Sequence, residues 1–197
     1  MKQSRRELNK MLCRQRILRA SRQLFRTKGY EATTIEDVAA QAEISKATLY
    51  NYFPSKDSLL LGIAESEIAQ VRTLLSERLD PEASVVERLR SVTHQVVRNA
   101  IPDLALCRKI TYLNSCEDSD LYAARTGLTE LVQNLAEEGV RRGEFRQDVE
   151  VREIVDLVMG VYLMAQFQWS DLDGLSEEAC QQRLDRLFAR MLASVLV

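Results

Sequence analysis

The residues with the clearest chemistry lie in one short run, Lys46-Ala47-Thr48-Leu49-Tyr50-Asn51-Tyr52. On a helix, at about 100° per residue, Leu49 and Phe53 share one side. Lys46, Ala47, Tyr50 and Asn51 fall on the opposite arc, with Thr48 at its edge. The first pair suits a core, and the second set suits the edges of DNA base pairs. Lys46 supplies an ammonium for guanine or phosphate, Ala47 a methyl for close approach to thymine, and Asn51 a carboxamide matched to adenine N6 and N7. Thr48, Tyr50 and Tyr52 bring hydroxyls for phosphate oxygens. Ser45, Thr34 and Lys56 stand at helix starts, where free backbone N–H groups favour phosphate. A helical hairpin buried in a core would use the same tyrosines for packing. The caps, the basic flank and the polar face together favour DNA.

The elements that must position these residues are legible from caps and periods. Thr34, followed three residues on by Asp37, reads as an N-cap with a capping box. A short helix follows over Ile35 to Ala42, burying Ile35, Val38 and Ala39, and Glu43 and Ile44 make the turn. Ser45 caps the helix from Lys46 to Tyr52 or Phe53, and Pro54 stops it by removing a backbone donor. Ser55 opens a long helix through Leu59, Leu60, Leu61 and Ile63 to about Leu79. Upstream, Ile17, Ala20, Ser21, Leu24 and Phe25 recur at helical spacing in a helix from Arg5 to Lys28, which Gly29 ends. After Pro81, helices are predicted at about 83–100, 103–116, 119–142, 150–170 and 176–196.

Only 7 Gly and 3 Pro interrupt 197 residues, which favours long helices over a many-turn β architecture. The predicted fold is all-α. An N-terminal three-helix domain (1–56, helix-turn-helix about 34–53) shares its long following helix with a C-terminal helical domain (57–197).

Charge divides the chain in the same place. Residues 1–28 hold ten Lys or Arg against the single acid Glu7, a balance of +9. The whole chain carries −2, so the remaining residues carry −11. One end suits a polyanion and the rest does not. Cys13, Cys107, Cys116 and Cys180 form no C-x-x-C pair and read as free thiols in a reducing compartment. Met1 to Asn9 is polar. The most apolar stretch, Ile154 to Phe167, contains Asp156 and is too short to span a bilayer. A cytoplasmic protein without a membrane partner is expected. With one histidine, and no G-x-S-x-G, phosphate-binding glycine loop or H-E-x-x-H, neither catalytic nor metal-ligating residues nor a cofactor are expected. An all-helical enzyme using carboxylates alone stays open as a remote class. So does an architectural DNA protein, whose binding would fall steeply with salt and vary little with sequence.

The stretch from Ile17 to Leu60 resembles the TetR (tetracycline-repressor-like) family. The carrying residues are Ile17-Leu18-x-Ala20-x-x-x-Leu24-Phe25, then Gly29-Tyr30-x-x-Thr33-Thr34-Ile35-x-x-Val38-Ala39. They continue as Ile44-Ser45-Lys46-Ala47-Thr48-Leu49-Tyr50-x-Tyr52-Phe53 and Ser55-Lys56-x-x-Leu59-Leu60. The resemblance implies a homodimer that reads a near-palindromic operator, usually as a repressor. It implies that Thr34, Lys46, Thr48, Tyr50, Tyr52 and Lys56 lie at DNA. One position departs from the family pattern: Glu43 stands where the turn usually has Gly. If the turn keeps a left-handed residue there, glutamate costs about 1 kcal/mol.

The resemblance also implies a C-terminal domain that dimerises and often holds a small-molecule effector, and Gly143-Glu144-Phe145-Arg146 resembles the family's entry to the next helix. The sequence adds modest support. Cys180, Leu184, Leu187, Phe188, Met191, Leu192 and Val195 form one stripe, either intramolecular core or half of a four-helix dimer interface. The segment Ile154 to Trp169 is apolar nearly all round and must be covered on several sides. Self-association is expected through about 150–170 and 176–196. Candidate effector contacts are His94, Tyr112, Tyr122, Met164, Phe167 and Trp169, although ordinary core packing is the better reading of each. Cys107 and Cys116 are redox candidates only if a neighbour lowers a thiol pKa.

Overall fold

Serine and threonine caps set where the helices begin. The computed structural model describes residues 4–116, 119, 121–122, 125–168 and 176–197. Among these run α1 (Arg5–Thr27), α2 (Ile35–Gln41), α3 (Lys46–Tyr52), α4 (Lys56–Thr73), α5 (Val85–Ala100), α6 (Leu104–Asn114), α7 (Arg125–Arg142), α8 (Val151–Gln168) and α9 (Glu177–Leu192). Ser4 and Glu7 close a capping box on α1, Thr34 and Asp37 one on α2, and Ser55 and Ser58 one on α4. Ser45 accepts from the Thr48 amide at 3.0 Å to open α3. Each such cap satisfies amides that have no partner inside the helix and contributes about 1 kcal/mol. Gly29, at φ 87, lies just past α1, where a left-handed residue releases the chain from the helix.

The apolar stripes gather into two large cores and a smaller cluster. The first joins Ile17, Leu18 and Phe25 of α1, Val38 and Ala39 of α2, Leu49 of α3, Phe53, and Leu59, Leu60 and Ile63 of α4. Leu106 of α6 and Leu121 close it. The second joins Val71 of α4 to Leu89, Val132, Ile154, Val158 and Phe188 of α5, α7, α8 and α9. Val97, Ala165, Cys180 and Leu184 form the smaller one. Each large side chain removed from water contributes about 1.5–3 kcal/mol. One helix, α4, therefore has its first half in the first core and its second half in the second. Its approach to the N-terminal helices is close: a Cβ on Gly62 would lie 2.7 Å from Phe53 Cε1 and 2.8 Å from Leu18 Cδ2.

The expected helix ends needed three adjustments. The 55–79 helix is α-helical only to Thr73 and continues as one π turn, Leu74–Arg78. Among the described residues, α7 begins at Arg125, not near 119. The last helix stops at Leu192 instead of 196. Its tail turns so that Leu196 forms an isolated antiparallel bridge with Phe145, and Arg146 N donates to Val195 O at 2.9 Å. Val195 is buried in that arrangement, so the apolar stripe persists after the helix has ended.

Candidate nucleic-acid interface

α3 is held by its inner face. Leu49 is wholly buried and Phe53 nearly so, while Lys46, Ala47, Tyr50 and Asn51 are exposed and Thr48 and Tyr52 half-buried. The arc expected to be polar and free is therefore on the surface. Ser45 and Thr48 hydroxyls lie 2.8 Å apart and bond each other. Tyr52 packs at the rim of the first core, where the neighbouring Cys13 thiol pushes its hydroxyl pKa up. The turn between α2 and α3 runs through Glu43 at φ 53, the one non-glycine residue in the left-handed region among those described. Its amide donates to Ala40 O at 3.1 Å, and the Ile44 amide donates to Ala39 O at 3.0 Å. The turn thus keeps the left-handed geometry with a glutamate in it, at a cost of about 1 kcal/mol.

Charges tie the pieces together. Lys46 pairs with Glu36 across α2 and α3, and its ammonium lies 5.9 Å from the Tyr50 ring centroid. That hydrogen bond holds the Glu36 carboxyl below, and the Lys46 ammonium above, their ordinary ranges. Lys28 pairs with Asp37, and this bond, with the Thr34 cap, lowers the Asp37 carboxyl to about 2.

Lys56 serves a use that its position at a helix start does not reveal. Its ammonium donates to three loop carbonyls, those of Tyr30 at 2.7 Å, Glu31 at 3.2 Å and Thr33 at 3.2 Å. It also lies 4.3 Å from the Tyr30 ring centroid. Lys109 of α6 approaches the same ring at 5.1 Å and pairs with Glu31 at 2.8 Å. The Tyr30 hydroxyl donates to Asp57, and burial first, then Asp57, pushes its pKa well up. Sequence reading missed Lys109 and the contacts of Tyr30, because their partners lie far away along the chain.

The basic N-terminal segment is partly neutralised at home. Arg14 pairs with Glu65 at 2.7 Å, Arg22 with Glu67, and Lys28 with Asp37. Arg22 and Arg26 flank the buried Asp103 at 3.9 and 3.8 Å. Arg5, Arg6, Lys10, Arg16 and Arg19 are exposed and make no ion pair among the described residues.

Behind this unit a cavity of about 1150 Å³ lies between α4, α6, α7 and α8. Of the expected effector contacts, Tyr112 and Phe167 line it. His94, Tyr122 and Met164 do not: His94 Nε2 bonds Asp185 Oδ1 at 2.8 Å between α5 and α9, and Tyr122 and Met164 are exposed elsewhere. Trp169 lies outside the described residues. The fully buried Gln166 fixes α6 to α8, its side-chain oxygen accepting from Thr111 at 2.7 Å and its carbonyl from Arg108 Nε at 2.8 Å. Burial pushes the Cys107 thiol up to about 12, so the low-pKa thiolate that a redox role would need is missing there. No helix among the described residues is long and apolar enough to cross a membrane.

Comparison with known proteins supports the same reading. Residues 17–63 match the family model described as bacterial regulatory proteins, tetR family. The transcriptional repressor KstR2 of Rhodococcus jostii is 27% identical over 152 residues, 70% of each chain. The nucleoid occlusion factor SlmA of Photobacterium profundum is 30% identical over 138 residues, 66% of this chain and 70% of its own. The regulator FadR of Bacillus subtilis, solved in complex with stearoyl-CoA, superposes with a TM-score of 0.75 at 18% identity, over 91% of this chain and 97% of that one, and so shares the fold. With its capped helix pair, its exposed α3 and this matched segment, the chain belongs to the TetR family of helix-turn-helix transcription regulators.

Proposed function

We propose that the chain acts as a homodimeric repressor that reads a near-palindromic operator and releases it when a small molecule enters the cavity. The exposed arc of α3 carries the reading. Lys46, Ala47, Tyr50 and Asn51 stand outward on a helix whose other side is locked by Leu49 and Phe53. Such an arc fits the major groove, with Thr34, Ser45, Thr48 and Tyr52 near the phosphates. Lys56 acts in this scheme chiefly as a brace for the loop ahead of Thr34. The domain boundary falls within α4, with DNA contact assigned to about 1–56 and dimerisation and effector binding to 57–197.

Self-association through α8 and α9 is supported by large apolar side chains left at the surface, Leu163 at 39%, Met164 at 46% and Leu187 at 38% exposure. Dimerisation would set two α3 helices at successive major grooves, about 34–36 Å apart. The cavity supports effector control, as does the fact that a protein of the same fold was solved with a bound ligand. The expected compartment is the cytoplasm, where DNA and effector are both accessible.

Selection of bound sequences from a random DNA pool, at near-physiological salt, tests the proposal. A recovered palindrome supports a specific dimeric regulator. Binding without a motif, vanishing as salt rises, would replace it by an architectural role. Tyr50→Ala should then weaken operator binding by about tenfold, a typical value for one base or phosphate contact, with an unchanged melting temperature. Normal affinity in that variant would remove α3 from the interface.

A further inference from the structure

We infer that the cavity takes a lipophilic organic cation: an elongated apolar molecule ending in an amine or quaternary ammonium group. The inference rests on the cavity being the effector site, and it adds the ligand's charge and shape.

The walls define the apolar part. Ile68 and Val71 of α4, Ile110 of α6, Leu128 of α7, and Val155 and Met159 of α8 line the cavity. A long hydrocarbon or fused-ring body removes its surface from water there without leaving polar atoms unpaired.

The ionisable lining defines the charge. It consists of Arg22, Glu67, Glu137, Glu150, Arg152 and Asp156, four acids against two bases, with no lysine or histidine. Each arginine has an acid beside it. Arg22 is paired with Glu67 and flanks Asp103. The side chain of Arg152 is 87% exposed and lies 4.0 Å from Asp156. The acids are less well matched. Glu137 accepts from the Gln133 amide at 3.0 Å, and neither Glu137 nor Glu150 makes an ion pair among the described residues.

Burial is the main reason that the Cys107 thiol and the Tyr162 hydroxyl are both pushed up; Glu67 adds to each, at Tyr162 after Cys107 itself. Asp103 adds to the effect on Cys107, and only Arg22 opposes it. The excess of carboxylates in the lining favours a cation over an anion, most at the half-buried Glu137 and least at the exposed Glu150. Tyr162, Tyr112 and Phe167 also line the cavity, and aromatic rings attract cations electrostatically. A carboxylate or a phosphorylated carrier would meet the acidic excess, four carboxylates against two guanidiniums.

Titration calorimetry of the full chain with decyltrimethylammonium and decanoate below their micelle thresholds, and with decanol below its solubility limit, separates charge from chain length. The cation should bind at least about tenfold tighter than the acid or the alcohol. The double variant Glu137→Gln/Glu150→Gln should remove most of that preference and leave decanol unchanged. Decanoate or decanol binding as tightly as the cation would overturn the inference, and so would a cation preference that survives the double variant. Repeating the titrations on the operator complex keeps the two readings apart. A cation that binds with the expected preference but leaves DNA affinity unchanged would defeat effector control and not the ligand class. Operator release by decanoate alone would do the reverse.

Discussion

Glu43 holds a backbone conformation that suits glycine, and the arrangement of α2 against α3 depends on it. Glu43→Gly should therefore raise stability by up to about 0.5 kcal/mol, the left-handed penalty less the extra chain freedom of glycine, as read by urea unfolding. A loss of stability would mean that the glutamate side chain has a favourable contact. Asp37 gives a pH prediction. Its carboxyl is held at about 2, mainly by the Lys28 hydrogen bond and then by the Thr34 cap, against an ordinary 3.8. A depressed carboxyl stabilises the fold above its unfolded value and loses that effect as pH falls from 3.8 through about 2. Carboxyl NMR should find Asp37 titrating near 2, and Lys28→Met should bring it back toward 3.8. At this scale the α3 arc was legible, because one helical period fixes which residues share a side. Lys56 was not, since its carbonyl partners at Tyr30, Glu31 and Thr33 are more than twenty positions away. Residue type alone singled out His94, Tyr122 and Met164 beside Tyr112 and Phe167. For Met164 and Phe167, type does not tell which way a side chain points from α8, which is apolar nearly all round.

Helix starts were readable to within a residue or two wherever Ser or Thr supplied an N-cap, as at Thr34, Ser45, Ser55 and Ser176. The end of α9, which has no glycine or proline, was not. α9 illustrates why: burial of Val195 continues its apolar stripe, although the chain has already turned to meet Phe145. The same Phe145 controls a second contact that no local pattern announces. It is fully buried against Gly139 of α7, where a Cβ would fall 2.3 Å from Phe145 Cε2 and 3.2 Å from Val85 Cγ1. Helix propensity alone would make Gly139→Ala stabilising by about 1 kcal/mol. Overpacking in a closed core costs about 1–3 kcal/mol, so the clash should win and the variant should melt lower. Gly160→Ala on α8 is the control, since nothing lies within 4 Å of its Cβ position. That variant should be neutral or more stable by up to about 1 kcal/mol in chemical denaturation. Equal responses at the two glycines would mean that Phe145 moves aside freely.

At the scale of the whole molecule, the charge asymmetry has two consequences. The +9 of the first 28 residues suggested a polyanion partner, yet Arg14, Arg22, Arg26 and Lys28 are turned to carboxylates of the chain itself. Sequence charge counts could not separate these uses, because the partners Glu65, Glu67 and Asp103 lie beyond the basic segment. Arg22 is the residue where the two uses meet. It belongs to α1, lines the cavity, pairs with Glu67 of α4 and flanks Asp103 at the junction of α5 and α6. A guest that displaces Glu67 must therefore act on the helix that anchors the DNA-reading unit. Coupling of this kind is limited by the differential affinity of the guest for the two arrangements. Arg22→Met removes the link and keeps an apolar stem in place. It should lower stability by about 1–3 kcal/mol, because Glu67 and Asp103 lose a counter-charge, while circular dichroism stays helical. Operator affinity without effector should remain within a few-fold, since Arg22 lies away from the exposed arc of α3. The effector-driven fall in that affinity should shrink by about tenfold, the size of a typical coupling between sites. A variant that keeps the full response would show that the signal leaves the cavity by another route, through the apolar contacts of Leu59, Leu60 and Ile63 in the first half of α4.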